Sequence, residues 1–188
     1  MKKIKIMSYE DVKRIINSIE NKRNKALVEL LYLTGARISE LLSLRRGDIE
    51  EDRVGDVEFL FVNLITLKRK KGVEQRVVEI PKFEISKETL EYIYSKKEDE
   101  LLFESSRNKG RPMSRIHAWR IIKSISKDLY LHLMRHCRLT HLVNKYNYNE
   151  LELMRFAGWT NTNPAKFYMY QSAKDRAKKV AYLLRNNH

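Results

Sequence analysis

The chain has 188 residues, 43% apolar and 33% charged, the composition of an ordinary globular domain with enough apolar mass for its own core. Lys and Arg number 38 against 24 Asp and Glu, giving a net charge of +14 and a pI near 9.8; this favours polyanionic partners, nucleic acid first, although a lysine-rich proteome alone gives the same balance. No apolar run approaches the ~18 residues that span a bilayer, MKKIKIMSYE lacks a signal peptide's apolar core, and the lone Cys137 excludes an internal disulfide and a thiolate metal cage, in keeping with a reducing cytoplasm.

Ser8-Tyr9-Glu10-Asp11 has capping-box spacing and precedes Val12, Ile15, Ile16 and Ile19 at helical intervals, which predicts the first helix. A second runs through Ala26, Leu27, Leu30 and Leu31 to a stop at Thr34-Gly35, and a third carries Ile38, Leu41, Leu42 and Leu44. From about Asp56 to Ile80 the texture changes. Val57, Phe59, Phe61 and Val62 suit one strand and Val77, Val78 and Ile80 another, joined by a lysine-rich tip around Gly72, so a β-hairpin closed by Pro81 is expected. Helices resume over Lys87 to Tyr94. Ser105 to Pro112 (SSRNKGRP) reads as a loop and carries Arg107, Lys109 and Arg111.

Ser114 starts a helix with Ile116, Trp119, Ile122 and Ile125. Further helices follow through Leu133 to Val143 and from an Asn149 cap to Ala157, which Gly158 ends. The last starts at Asn163 with Pro164 in its first turn and continues to about Leu184. The architecture is mainly α with a small antiparallel β-sheet (α+β).

Three places hold residues suited to chemistry. Arg37, in Thr34-Gly35-Ala36-Arg37-Ile38-Ser39-Glu40, falls where a helix begins, so its guanidinium adds charge beside backbone N–H groups already suited to an anion. The plain alternative is a surface arginine paired with Glu40. In His132-Leu133-Met134-Arg135-His136, His132 and Arg135 share a helical face, setting a proton-moving imidazole beside a fixed cation. His132 and His136 also have a metal-ligand spacing, but Leu133 stands where a zincin has glutamate and no third ligand is evident. His117 and His141 are read as structural or surface residues.

On the last helix, Phe167, Tyr170, Ala173, Ala177, Val180 and Leu184 form an apolar stripe. Tyr168 falls instead in line with Gln171, Ser172 and Asp175 on the polar side. The spacing thus places Tyr170 in the core and leaves Tyr168 as a functional hydroxyl.

Together these segments resemble the tyrosine recombinase (phage integrase) family, of the Xer and integrase type. TGARISELLSLRRGDI looks like its first arginine motif and HLMRH matches its HxxRH motif. AGWTNTNPAKFY parallels the segment in which tyrosine follows nine residues after a histidine, here Trp159, and so leads to Tyr168. KKGVEQRVVEI resembles the lysine turn, in which a K-G pair precedes an arginine and a short apolar strand. The resemblance runs from about Ser8 over nearly the whole chain.

It implies the tyrosine recombinase catalytic-domain fold over 1–188, without the family's N-terminal core-binding domain, and residues 164–188 as the C-terminal helix bearing the nucleophile and an exchange tail. The implied function is site-specific DNA recombination or integration through a covalent 3′-phosphotyrosine. Double-stranded DNA is the implied partner, with tetramers on paired sites, and neither metal nor cofactor is required. Carried over by position, Arg37 and Arg135 clamp the scissile phosphate and His132 assists proton transfer. Lys71, with Lys70 as the alternative, protonates the leaving 5′ oxygen, Trp159 contacts a phosphate oxygen, and Tyr168 is the nucleophile. Glu40 orients its neighbours. Lys68, Arg69, Arg107, Lys109 and Arg111 are the expected DNA contacts.

These residue types suit the reaction. Displacement at a phosphodiester builds negative charge on the nonbridging oxygens, which fixed cations stabilise as metal ions do in nucleases. The alternatives are a non-catalytic DNA-binding member, a type IB topoisomerase-like activity and a metal-dependent nuclease.

Overall fold

A computed structural model describes residues 6–68, 72–169, 181, 184 and 185. The elements run α1 (Tyr9–Asn17), α2 (Lys22–Leu33), α3 (Ile38–Leu42), β1 (Ile49–Val54), β2 (Val57–Lys68), β3 (Gly72–Pro81), α4 (Lys87–Tyr94), α5 (Arg115–Ile125), α6 (Leu131–Tyr146), α7 (Glu150–Ala157) and α8 (Asn163–Met169). Short 3-10 turns lie at Arg46–Asp48 and Lys82–Glu84. The fold is mainly α with one small antiparallel sheet, as the patterning predicts, and the chain divides into two compact units, Met1–Arg138 and Leu139–His188. Among the described residues, no helix is long and apolar enough to cross a membrane.

The first unit is organised on α2. Every residue from Lys25 to Leu33 is buried, and a helix covered on all sides belongs at a centre. α1, α3, α4 and α5 all contact it. Two charged residues within that buried stretch are matched. Lys25 Nζ lies 2.9 Å from Glu88 on α4. The Glu29 carboxylate accepts from the backbone N–H of Ser86, at 3.0 Å, and from its hydroxyl, so it holds the residue that caps α4. At the chain's start, the Ser8 hydroxyl accepts from the Asp11 N–H at 3.0 Å and caps α1 as its spacing predicts.

The sheet has the order β1-β2-β3, all antiparallel. Leu60, Leu64, Val62, Val78 and Ile80 are fully enclosed and form its inner face. The expected hairpin is β2–β3, whose ladder runs from Phe59↔Pro81 to Lys68↔Gly72. β1 is an addition. Only Ile49 of IEEDRV is buried, so the strand lacks the apolar alternation that marks a half-buried one. Pairing with β2 through a two-residue turn, with Gly55 at φ 59°, creates it.

One helical pattern is corrected. On α5 the inner residues are Ala118, Ile121 and Ile122, while Ile116 and Trp119 are 63% and 47% exposed. Ile116 and Trp119 follow the 3.6-residue spacing but on the outer side, a phase that only the packing decides.

In the second unit, Asn149 caps α7 through its side-chain oxygen, 2.9 Å from the Leu151 N–H and 3.0 Å from the Glu152 N–H. Glu152 returns the bond to the Asn149 N–H at 2.7 Å, completing a capping box. Gly158 ends α7 in the left-handed region (φ 65°, ψ 45°), and α8 packs on α7. Tyr148 meets Phe156 edge-on at 6.0 Å.

Back in the first unit, Glu84 and Arg138 form a buried ion pair at 2.9 Å, with side-chain exposures of 0% and 2%. The guanidinium also lies over the Tyr32 ring at 5.6 Å. Burial raises the Tyr32 phenol well above its usual pKa, against the opposing pull of Arg138, so the ring stays neutral. Removing one member of such a pair strands the other in a dry environment. Glu84→Ala is expected to lower the unfolding free energy by about 3–5 kcal/mol in urea titrations, and a loss below about 1 kcal/mol would contradict this.

Candidate active site

The Arg37 region is built from the end of α2. Thr34 Oγ1 donates to the Leu30 carbonyl and accepts from the Ala36 N–H at 3.2 Å, so the chain turns tightly after the helix. Gly35 takes φ 55°, a left-handed conformation that suits glycine. The turn delivers Arg37 to the N-cap of α3 in extended conformation. Its neighbour Glu40 is 4% exposed and gathers three donors. Arg37 Nη1 lies 2.8 Å from Oε1, the Arg37 backbone N–H donates to Oε2 at 2.8 Å, and Arg76 Nη2 lies 2.8 Å from Oε2. The Arg37–Glu40 pairing that the sequence offers as the plain alternative is therefore present. Yet the Arg37 side chain stays 37% exposed, while those of Glu40 and Arg76 are at 3% and 9%.

Arg135 joins this turn. It is 7% exposed on α6, and its Nη1 donates to the Gly35 carbonyl. The two arginine motifs, a hundred residues apart, thus meet at one turn. His132, three positions before Arg135 on the same helix, is exposed. The α6 helix therefore presents an accessible imidazole and fixes a guanidinium in adjacent turns. Next to them, His136 is half-buried, and its pKa is lowered, first by burial and then by the charges of His132 and Arg135. Burial likewise raises the Cys137 thiol, so it stays protonated near neutrality. Among the described residues no His, Cys, Asp and Glu cluster could hold a metal ion.

The expected lysine residues are only partly within view. Lys68 is placed through its backbone, paired with Gly72, while Arg69, Lys70 and Lys71 lie outside the described residues. Arg107, Lys109 and Arg111 are all exposed on the expected loop. That loop is closed by the Ser105 N–H donating to the Arg111 carbonyl at 2.8 Å and by the Ser105 hydroxyl accepting from the Asn108 N–H at 3.2 Å. Arg107 also lines a polar cavity of about 470 Å³ with Ser105, Ser106, Ser114, His117 and Arg120. His141 is buried, as a structural histidine is expected to be.

In the second unit, Trp159 and Tyr168 come together. Their rings stack at 5.8 Å with an interplanar angle of 23°, and Phe167 meets Tyr168 edge-on at 5.2 Å. The expected faces of α8 are reversed here. Tyr168 is 8% exposed and Phe167 49%, with Leu184 of the same stripe at 62%; Tyr170 lies outside the described residues. The inward partner of Tyr168 is Trp159, just after α7, which the periodicity of one helix cannot reveal. Tyr168 therefore does not stand on an outer polar side, and only its position after Trp159 singles it out.

Arg76 stands in the lysine turn that the sequence shows, but it was assigned no part in the site. Its signal is parity: Arg76, Val78 and Ile80 share the face of β3 that turns inward, and an inward arginine requires a buried carboxylate.

Residues 5–175 match the phage integrase family. The chain belongs to that family. It is 28% identical over 194 residues to the tyrosine recombinase XerA of Thermococcus kodakarensis, covering 96% of this chain and 65% of that protein. Among solved structures it is similar to XerA recombinase (TM-score 0.73, 20% identity, 95% of this chain and 64% of that one). It is also similar to XerH recombinase in a pre-cleavage complex with its difH substrate (TM-score 0.70, 19% identity, 94% and 53%). The fold is thus the tyrosine recombinase catalytic-domain fold that the motifs imply, and the chain spans between half and two thirds of the length of these relatives.

The His136 shift has a measurable consequence. The unfolded state takes up a proton at the ordinary value of 6.5, while the folded state resists until a lower pH. Stability is therefore full above 6.5 and declines as pH falls through that value towards the lowered one. His136→Gln should flatten the fall of melting temperature between about pH 7.5 and pH 5.5, and an unchanged slope would contradict this.

Proposed function

We propose that this chain is the catalytic part of a site-specific DNA recombinase that cuts and rejoins strands through a 3′-phosphotyrosine. The observation carrying this is the meeting of the two arginine motifs, with Arg135 bonded to Gly35 and Arg37, two residues after that glycine, held by Glu40. Family membership supports the chemistry, and the XerH relative is a recombinase bound to its difH substrate before cleavage.

In this reading Arg37 and Arg135 bind the nonbridging oxygens of the scissile phosphate and stabilise the charge that grows there. Both are permanently charged at any working pH, and their planar forks suit phosphate oxygens. The Tyr168 hydroxyl attacks phosphorus, the bond from phosphorus to the 5′ oxygen breaks, and that oxygen takes a proton from Lys71, with Lys70 as the alternative donor. His132 assists the loss of the tyrosine proton, and the indole N–H of Trp159 donates to a phosphate oxygen. The phosphotyrosine retains the energy of the broken ester, so rejoining by a 5′ hydroxyl reverses the step without a cofactor.

Lys68, Arg69, Arg107, Lys109 and Arg111 contact the DNA backbone, consistent with the net charge of +14. Residues 1–188 serve as one catalytic domain, and residues 164–188 carry the nucleophile and link protomers in a tetramer on paired sites. The protein works in the cytoplasm, on DNA.

With a nicked suicide duplex, the unaltered chain should form a covalent complex that survives a denaturing gel. Tyr168→Phe should abolish it while DNA affinity changes by less than about twofold; a mutant trapped as well as the parent removes Tyr168 from the role. Cleavage should also persist in excess EDTA, and complete loss there would indicate a metal-dependent nuclease.

A further inference from the structure

The Glu40 cluster contains one cation that the proposed reaction leaves without a part. Arg76 leaves β3 on the inward side, and its side chain, 9% exposed, is turned to the Glu40 carboxylate. Its Nη2 is 2.8 Å from Glu40 Oε2, the oxygen that also accepts the Arg37 backbone N–H, while Oε1 takes Arg37 Nη1. The three side chains together carry one net positive charge. With Arg37 alone against Glu40 the pair would be neutral, and much of the attraction of Arg37 for a phosphate would be cancelled at close range. A second guanidinium on the same carboxylate restores the positive balance and fixes Glu40 from the opposite strand.

The geometry points to Arg76 as a positioning residue: acting through Glu40, it holds the planar fork of Arg37 and keeps the cluster cationic where the phosphate binds. This rests on the reading of Arg37 as a phosphate ligand. Arg76 is paired with Leu64 in the β2–β3 ladder, so the arrangement also ties the hairpin bearing the expected lysine to the arginine turn. Nothing in this role requires Arg76 to touch DNA.

The test uses the full chain and a suicide duplex, with single-turnover cleavage rates at saturating DNA measured beside equilibrium affinity. Arg76→Gln should slow cleavage about tenfold while affinity moves less than about twofold, and Arg76→Lys should recover most of the rate. In an Arg37→Lys background, which lacks the fork that Arg76 positions, Arg76→Gln should cost less than about twofold. Equal losses in the two backgrounds would overturn the inference, as would loss of affinity with unchanged saturated cleavage. Failure of both position-76 variants to fold would make Arg76 structural and overturn it too. Absence of cleavage by the unaltered chain sinks the proposed function and this inference with it, whereas equal losses in a cleaving enzyme sink the inference alone.

Discussion

Two guanidinium groups cannot be gathered at one edge of an apolar core without a counter-charge, because each would otherwise lose water and repel the other. Glu40 meets that constraint. Its carboxylate is almost fully buried, and both of its oxygens are engaged by Arg37 and Arg76. The Gly35 carbonyl does the same for Arg135 with a dipole in place of a charge. The neighbouring structure follows from this need. α2 is buried on all sides from Lys25 to Leu33, so it ends inside the first unit, and the turn after it is where a backbone carbonyl and a cation from a distant helix meet. The arrangement is electrostatic in purpose but is held in place by apolar burial.

The same device recurs in the second unit. Both Arg37 and Trp159 stand just after helices that end at a glycine with positive φ, Gly35 at 55° and Gly158 at 65°. A left-handed glycine lets the chain leave a helix sharply, so the next residues are presented from a rigid end rather than a wandering loop. For Arg37 the result is an N-cap side chain tied to Glu40. For Trp159 it is an indole stacked on Tyr168, which gives the tyrosine a defined inward setting. In each unit a residue delivered by a turn is thus fixed against a helix: Arg37 by a carboxylate on α3, Trp159 by a ring on α8.

Much of this was legible in the sequence, and the reasons are local. Capping residues Ser8, Ser114 and Asn149 stand where helices begin because their side chains satisfy N–H groups that no helix can pair internally. The β2–β3 hairpin showed itself through β-branched and aromatic runs either side of a lysine-rich tip. Arg37, Glu40, His132 and Arg135 were singled out by motif, and the structure links three of them through Gly35 and the Glu40 carboxylate. β1 was not legible, since an exposed edge strand needs no apolar alternation. Nor was the burial of Tyr168, or the outward phase of Ile116 and Trp119, because periodicity reports that a helix has faces without saying which one is covered.

What the sequence determined alone was therefore everything set by neighbours along the chain: helix starts and stops, the hairpin, the positive balance of charge and the spacing from Trp159 to Tyr168. The tertiary structure alone decided which of those residues meet. Arg76 reaches Glu40 across 36 positions and Arg135 reaches Gly35 across 100, and contacts at such separations are set by how α2, α3, α6 and the sheet pack together. The parity of Arg76 on β3 hinted at a buried partner, but only the folded chain supplies the carboxylate, because a buried charge can be matched only by whatever the packing brings beside it.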